Sequence, residues 1–441
     1  MPRRLFQYGV ALSRSPFGRS VSSLMMLTVV GQGLYIAVAP LLGRLYTPEA
    51  FGLYGVFYLF ITTSTLFICL NYDMAIPAAV DEADANDLTE ATIRMSVIVC
   101  AVIGALLTGA ITLNLAGFGS LPWWAGPMAF AVLLLQALIQ VIQAWYVRAQ
   151  TAVIIGRAGV TLNAVRGGVQ VGLGLLGGAW WGLGLGEALG RLGALIHSVG
   201  ARGAWRPRTS LWSLKLPLAT LRRYRQFPLV FLSSSVVEAV VFFAQIATLN
   251  TLFGPAGMGQ YFMMRRTLDL PVAFAYRSLS DIFYGRMAAD CREAPERVKP
   301  FYIRSFLILA GIGFIGATPL MIFGEPIFEF VMGPDWGEAG RMAAVMAPAA
   351  VLNLAAAPAS RIFGLSERPW LRSVYTAANA VLIGIVLIMA TTRGWSLFTT
   401  TAALSIATCI VYLSYFLAGL FAADRLVSSA SRQAAAEARI S

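Results

Sequence analysis

The sequence predicts an all-α polytopic membrane protein with about twelve transmembrane helices in two six-helix lobes. Three observations point there. The 441 residues are 58% hydrophobic and only 12% charged, with a mean hydropathy of +0.71, against about 25% charged in an ordinary soluble domain. The apolar residues fall in runs near the ~20 residues needed to cross a bilayer as a helix, not in the short alternating segments of a barrel. The basic residues fall almost entirely on one side of those runs.

The elements follow in order. Residues 1–20, "MPRRLFQYGVALSRSPFGRS", form a basic cytoplasmic lead-in. The run behind them has spanning length and no small-x-small cleavage site, so it is expected to stay as the first helix. The apolar runs are 21–42, 51–72, 94–117, 123–146, 154–176, 179–199, 227–252, 258–284, 303–323, 341–363, 371–392 and 396–421. A basic, tryptophan-containing linker over 200–226 lies after the sixth. It divides an N-lobe (21–199) from a C-lobe (227–421), with a tail over 422–441. The linker suits the anionic face of the inner leaflet.

With the N-terminus placed in the cytoplasm, cytoplasmic segments hold 25 of the 33 Lys and Arg residues. The outer loops hold three, Arg44, Arg341 and Arg393, and the other five lie inside helices. This bias predicts cytoplasmic N- and C-termini. It also accounts for the net charge of +12 without nucleic acid. The acidic stretch "DEADANDLTE" (81–90) reads as a solvated turn, since no phosphate-binding GK[ST] loop accompanies it. One histidine and four cysteines without a CxxC give no metal site, and no cofactor is expected. The glycine run from Gly167 to Gly190 lies in apolar segments and reads as close helix packing with a flexible outer hinge. Trp180 and Trp181 suit the outer aromatic belt.

The chain repeats itself. Leu45-Tyr46-Thr47-Pro48-Glu49-Ala50-Phe51-Gly52-Leu53-Tyr54 aligns with Leu252-Phe253-Gly254-Pro255-Ala256-Gly257-Met258-Gly259-Gln260-Tyr261 at an offset of 207 residues. Arg44 precedes the first copy. Both copies join the first and second helices of a six-helix half, so the repeats run parallel, as in transporters that rock two lobes about a central site. Pro48 and Pro255 end one helix and open the next, while Gly52 and Gly259 permit close helix contact.

"RLYTPEAFGLY" followed by "NYDMAIP", with "YRQFPL", "LFGPAGMGQYFMMRRTLDLP" and "FGEPIFEFVMGPDWGEAGRMAAVMAP" in the second half, resembles the Wzx-type oligosaccharide flippases. These are the polysaccharide branch of the multidrug/oligosaccharidyl-lipid/polysaccharide exporter superfamily. The chain carries Asn71-Tyr72-Asp73 where that family is expected to have Arg-Tyr-Glu, which removes a cation at position 71. The resemblance implies two lobes in a V around a cavity. It also implies movement of an undecaprenyl-pyrophosphate-linked oligosaccharide to the outer leaflet of a bacterial inner membrane, with a polysaccharide polymerase and chain-length proteins as partners.

Ionisable groups inside helices are costly, so they are the candidate functional residues. Arg265 and Arg266 share a helix face with Asp269, which cannot neutralise both. Arg277 follows about three turns, or ~17 Å, further on. These three arginines suit a diphosphate or sugar acid, or else serve structural pairing, with Arg277 snorkelling. Arg166 is a candidate counterpart in the N-lobe. Glu187 and Arg191, four apart, form an intrahelical pair or a lobe contact. Glu238, with no basic residue within four positions, is a candidate coupling carboxylate, with Asp269 as a competitor; the alternative is a buried hydrogen bond or a cross-lobe pair with an arginine. Asp73 is a supporting charge.

Surplus arginine favours an anionic cargo over the cations and drugs handled by sister exporters. Lipid II flippases, also relatives, are expected to have fourteen helices. A membrane polymerase or ligase would need a larger catalytic outer loop than any here. The reading is therefore a carrier and not an enzyme.

Overall fold

The computed structural model describes residues 16–151, 153–201, 217–357, 362–363 and 370–440, apart from some side chains within its helices, those of Glu238 and Arg277 among them. The lead-in over 1–15 and most of the linker (202–216) lie outside the described residues.

Among the described residues the secondary structure is helical, with no strand. The helices are α1 (Pro16–Leu45), α2 (Pro48–Ser64), α3 (Glu82–Thr112), α4 (Ala125–Arg148), α5 (Val153–Leu175), α6 (Trp180–Gly200), α7 (Leu218–Arg223), α8 (Gln226–Glu293), α9 (Val298–Met332), α10 (Gly337–Ala355), α11 (Trp370–Arg393) and α12 (Leu397–Ile440). Each predicted apolar run overlaps one of these helices within the described residues, with 227–252 and 258–284 sharing α8. By length and composition alone, six helical segments among the described residues suffice to cross a membrane: Ser22–Leu45, Glu82–Thr112, Ala125–Arg148, Ala239–Asp269, Pro295–Met332 and Leu397–Leu426.

The motif turns are built differently in the two copies. In the first, Thr47 caps α2: its backbone is extended (φ −72°, ψ 159°) and its hydroxyl accepts from Ala50 N at 3.3 Å, with Pro48 in the first turn. In the second, α8 leaves helical geometry at Gly254 (φ 65°, ψ −177°) and Pro255 restarts it. That positive φ favours glycine.

α2 ends at Ser64, well before the end of the predicted run 51–72. Thr62 and Thr65 turn their hydroxyls back onto the carbonyls of Tyr58 and Thr62, a local bond that competes with helix propagation. Leu70 and Asn71 then adopt left-handed backbone (φ 48° and 59°), and Asp73–Ala75 forms a short 3₁₀ turn. Arg148 meets the freed carbonyls, donating from Nη1 to Ile76 O (3.1 Å), Pro77 O (3.4 Å) and Ala79 O (2.8 Å).

The acidic stretch is more than a solvated turn. Asp81 caps α3, its Oδ1 accepting from Asp84 N at 2.7 Å. Glu82 and Asp84 in the first turn complement the helix dipole. Asp84 Oδ2 also accepts from Arg223 Nη1 (2.8 Å) and the Tyr224 hydroxyl (3.0 Å), and Asp87 Oδ2 accepts from Thr220 (3.0 Å). The stretch therefore docks α7.

By contacts the chain divides into two compact units, Met1–Gly259 and Gln260–Ser441. The division falls within the second motif copy. In the first unit α1 packs on α5, α5 on α6, α3 on α4, and α6 on α4 and α2. Trp180 does not stay at the surface: it is buried and stacks on Trp124 at 4.8 Å, while Trp181 is exposed. In the second unit α10 packs on α9 and α12, and α12 also on α9 and α11. Tyr302 anchors that core, donating to Phe416 O at 3.1 Å, with Phe363, Met287 and Ala423 around it.

Candidate functional site

Two charge clusters within the helices stand out, one in each unit. The first is assembled across α5 and α6. The glycines of α6 form the seam: a Cβ at Gly186 would lie 3.1 Å from Arg166 O, and one at Gly190 2.8 Å from Arg166 Cβ and 2.9 Å from Leu162 O. This closeness brings Arg166 of α5 against Glu187 of α6, with Nη1 3.1 Å from Oε1. Arg191 holds the other oxygen, Oε2, one turn along α6. Tyr54 of α2 donates its hydroxyl to Oε1 at 2.6 Å.

An outer ring of polar groups fixes the arginines. Arg166 donates from Nη2 to Asn163 Oδ1, and its guanidinium lies 4.0 Å from the ring centre of Tyr35, a cation–π contact. Arg191 Nε donates to Gln136 Oε1 at 3.1 Å. Gln170 donates from its side chain to Leu183 O at 2.9 Å, and its main-chain carbonyl accepts from the Tyr46 hydroxyl at 2.7 Å. Glu187 is 1% exposed and each arginine 7%. Two guanidinium groups against one carboxylate leave the cluster formally positive by one charge, buried away from the screening of bulk water.

The second cluster lies in α8 beyond the motif. Arg265 Nε donates to Asp269 Oδ2 at 2.7 Å, and Arg265 Nη1 to the Tyr261 hydroxyl at 3.4 Å. Arg266 is next in sequence and 6% exposed.

The sequence-predicted residues thus separate. Arg166, Glu187 and Arg191 come together, and the intrahelical pair of Glu187 and Arg191 is joined by Arg166 from the neighbouring helix. Arg265 and Asp269 pair as their spacing requires. The side chains of Glu238 and Arg277 lie outside the described residues, on α8. Arg44 is exposed in the last turn of α1. Asp73 sits partly buried in its 3₁₀ turn, where desolvation pushes its carboxyl above the usual range against opposing bonds from the N–H groups of Asp73 and Met74. Pro48, Gly52, Pro255 and Gly259 form the motif turns and their contact.

Sequence reasoning missed Tyr35, Tyr54, Asn163 and Gln136. Tyr54 did carry a signal, being the last residue of the repeated motif. The others are ordinary polar residues whose role depends on helix register.

Among the described residues no group of three His, Cys, Asp or Glu residues is placed to hold a metal ion.

The fold has known counterparts. An inward-facing multidrug resistance transporter of the MATE family and MOP superfamily superposes with a TM-score of 0.64 at 15% identity, over 92% of this chain and 98% of its own. The lipid II flippase MurJ in an inward closed conformation gives 0.64 at 12% identity, over 92% and 90%. A MOP superfamily transporter from Pyrococcus furiosus, described for the reversed polarity of its binding pocket, gives 0.60 at 14% identity, over 95% and 98%. The expected exporter-superfamily fold is therefore the observed one. Among curated proteins none matches the chain in sequence. The family described as polysaccharide biosynthesis protein matches residues 41–341, a stretch containing both motif copies and both charge clusters, and the chain belongs to that family.

Proposed function

We propose that this protein is a flippase that carries an undecaprenyl-pyrophosphate-linked oligosaccharide from the inner to the outer leaflet of a bacterial cytoplasmic membrane. The observation carrying this reading is the buried cluster of Arg166 and Arg191 on the single carboxylate of Glu187, with further arginines on α8, in a member of a polysaccharide biosynthesis family. A diphosphate or an acidic sugar supplies the missing negative charge, and guanidinium groups bind such oxygens in pairs. Multidrug carriers share the fold, but a cationic drug would meet like charge here. The termini face the cytoplasm by the distribution of basic residues. The two six-helix halves alternate access to the site, and the polyprenyl tail stays in lipid. A polymerase and chain-length proteins take the product. The cavity cations in this reading are Arg265, Arg266, Arg277 and Arg166, and Glu238 is a candidate for coupling to an ion gradient.

The test is deletion of the gene followed by leaflet assignment of the lipid-linked glycan. Accumulation in the inner leaflet, restored by the wild-type gene and not by an Arg265→Gln/Arg266→Gln version, supports the reading. Normal delivery to the outer leaflet overturns it.

A further inference from the structure

Both motif copies end on a tyrosine, and both tyrosines reach an intramembrane ion pair. Tyr54, fully buried, donates to Glu187 Oε1, the oxygen that Arg166 also approaches. Tyr261, 3% exposed, accepts from Arg265 Nη1, while Arg265 Nε holds Asp269. Each tyrosine follows its motif glycine by two residues, Gly52 to Tyr54 and Gly259 to Tyr261. Two steps along a helix turn roughly 200°. The glycine and the tyrosine therefore face nearly opposite sides: one seats a close backbone crossing, the other reaches into the charge cluster.

A hydroxyl suits this position for an electrostatic reason. A second carboxylate would fix the arginine equally well but cancel the remaining positive charge. A tyrosine O–H both donates and accepts without carrying charge, so it constrains the pair and leaves the surplus intact. In the second cluster Asp269 and Tyr261 take Nε and Nη1 of Arg265.

We propose that Tyr54 and Tyr261 are positioning residues, one per repeat, that hold the charge clusters in the geometry that receives the anionic group of the cargo. This rests on the reading of the arginines as cargo-binding. On this view the repeated Gly-x-Tyr ties the helix crossing to the substrate charge in each half.

The experiment uses the purified full-length protein in lipid nanodiscs, with farnesyl diphosphate as the probe, titrated calorimetrically. Tyr54→Phe and Tyr261→Phe keep the ring and remove only the hydroxyl. Each is expected to weaken binding about 10-fold, the size of a hydrogen bond to a charged group. Added to Glu187→Gln, Tyr54→Phe is expected to cause no further loss; added to Arg265→Gln, Tyr261→Phe likewise. Such coupling marks action through the ion pair, whereas a merely structural role would add independently. If Arg166→Gln and Arg265→Gln both bind the probe as wild type does, the cargo reading itself falls. If those variants lose binding while both Tyr→Phe variants stay within about two-fold of wild type, or lose equally in either background, this inference alone falls. Melting temperatures report assembly, and if one tyrosine variant does not assemble, the cycle in the other unit decides.

Discussion

Gly52 and Gly259 meet backbone to backbone. A Cβ built on Gly52 would lie 1.7 Å from Pro255 O, and one on Gly259 would lie 1.8 Å from Pro48 O. The contact is reciprocal: the glycine of each motif copy faces the proline carbonyl of the other. Each copy is thus the socket for its partner, which a simple hairpin turn would not need. The obstructing atoms are main-chain atoms, which cannot rotate aside.

Gly52→Ala and Gly259→Ala are therefore both expected to destabilise. Overpacking a dense contact typically costs about 1–3 kcal/mol, and backbone obstruction on both sides puts these variants at or above the upper end. Gly33 and Gly384, with nothing within 4 Å of an added Cβ, serve as controls whose alanine variants avoid that clash. Thermal unfolding in detergent, followed by size-exclusion fluorescence, separates the two classes. Equal melting temperatures for all four variants would show that the crossing is not tight.

The buried cluster of the first unit gives an asymmetric expectation. Glu187 is the shared partner of Arg166 and Arg191, so Glu187→Gln leaves two buried guanidinium groups facing a neutral amide. Breaking a buried pair in this way costs about 3–5 kcal/mol. Arg166→Gln leaves Glu187 with Arg191 and the Tyr54 hydroxyl, so its effect on stability should be clearly smaller. The double variant Arg166→Gln/Glu187→Gln should recover part of the loss of Glu187→Gln alone. Melting of the three proteins checks the order, and a strictly additive double variant would contradict it.

Arg148 offers a test of the irregular segment that follows α2. Its guanidinium meets three carbonyls, those of Ile76, Pro77 and Ala79. Arg148→Ala should cost about 1–3 kcal/mol, the scale of losing hydrogen bonds from a charged group. Arg148→Lys should recover little, because a compact ammonium on a flexible stem lacks the planar fork. Hydrogen exchange across 73–80 should rise in both variants, and unchanged exchange would show that the clasp does not hold the segment.

These residues also show what was legible beforehand. The helical class, the twelve apolar runs and the turn at Pro48 follow from length, hydropathy and proline chemistry. The pair of Glu187 with Arg191 follows from a spacing of four on one helix. The contact of Arg166 with Glu187 does not, because it joins two helices and depends on their register. Gly182, Gly186 and Gly190, spaced by four along α6, were the available clue, since such a stripe marks where another backbone approaches. The early end of α2 was hidden for a different reason. Hydropathy continues through Leu66–Leu70, and nothing in it records that Leu70 and Asn71 take left-handed backbone. The acidic stretch was read from composition as solvated; the Asp81 cap is a local bond to Asp84 N, but the docking of α7 depends on a segment more than 130 residues away.

Gln260, between the motif glycine and tyrosine, joins the second copy to the start of α10. Its Nε2 donates to Asp335 O at 2.6 Å and its Oε1 accepts from Ala339 N at 2.9 Å. Ala339 is completely buried, so no water stands ready to replace the lost acceptor. Gln260→Leu keeps the size but removes both bonds, and should cost about 1–3 kcal/mol through the orphaned N–H and carbonyl. Gln260→Glu separates the two: a carboxylate still accepts from Ala339 N but turns an oxygen toward Asp335 O. If the donor bond matters most, Glu should be as harmful as Leu; if capping the N–H dominates, Glu should be the milder change. Both should melt below wild type, and wild-type melting of Gln260→Leu would show that the amide does not anchor α10.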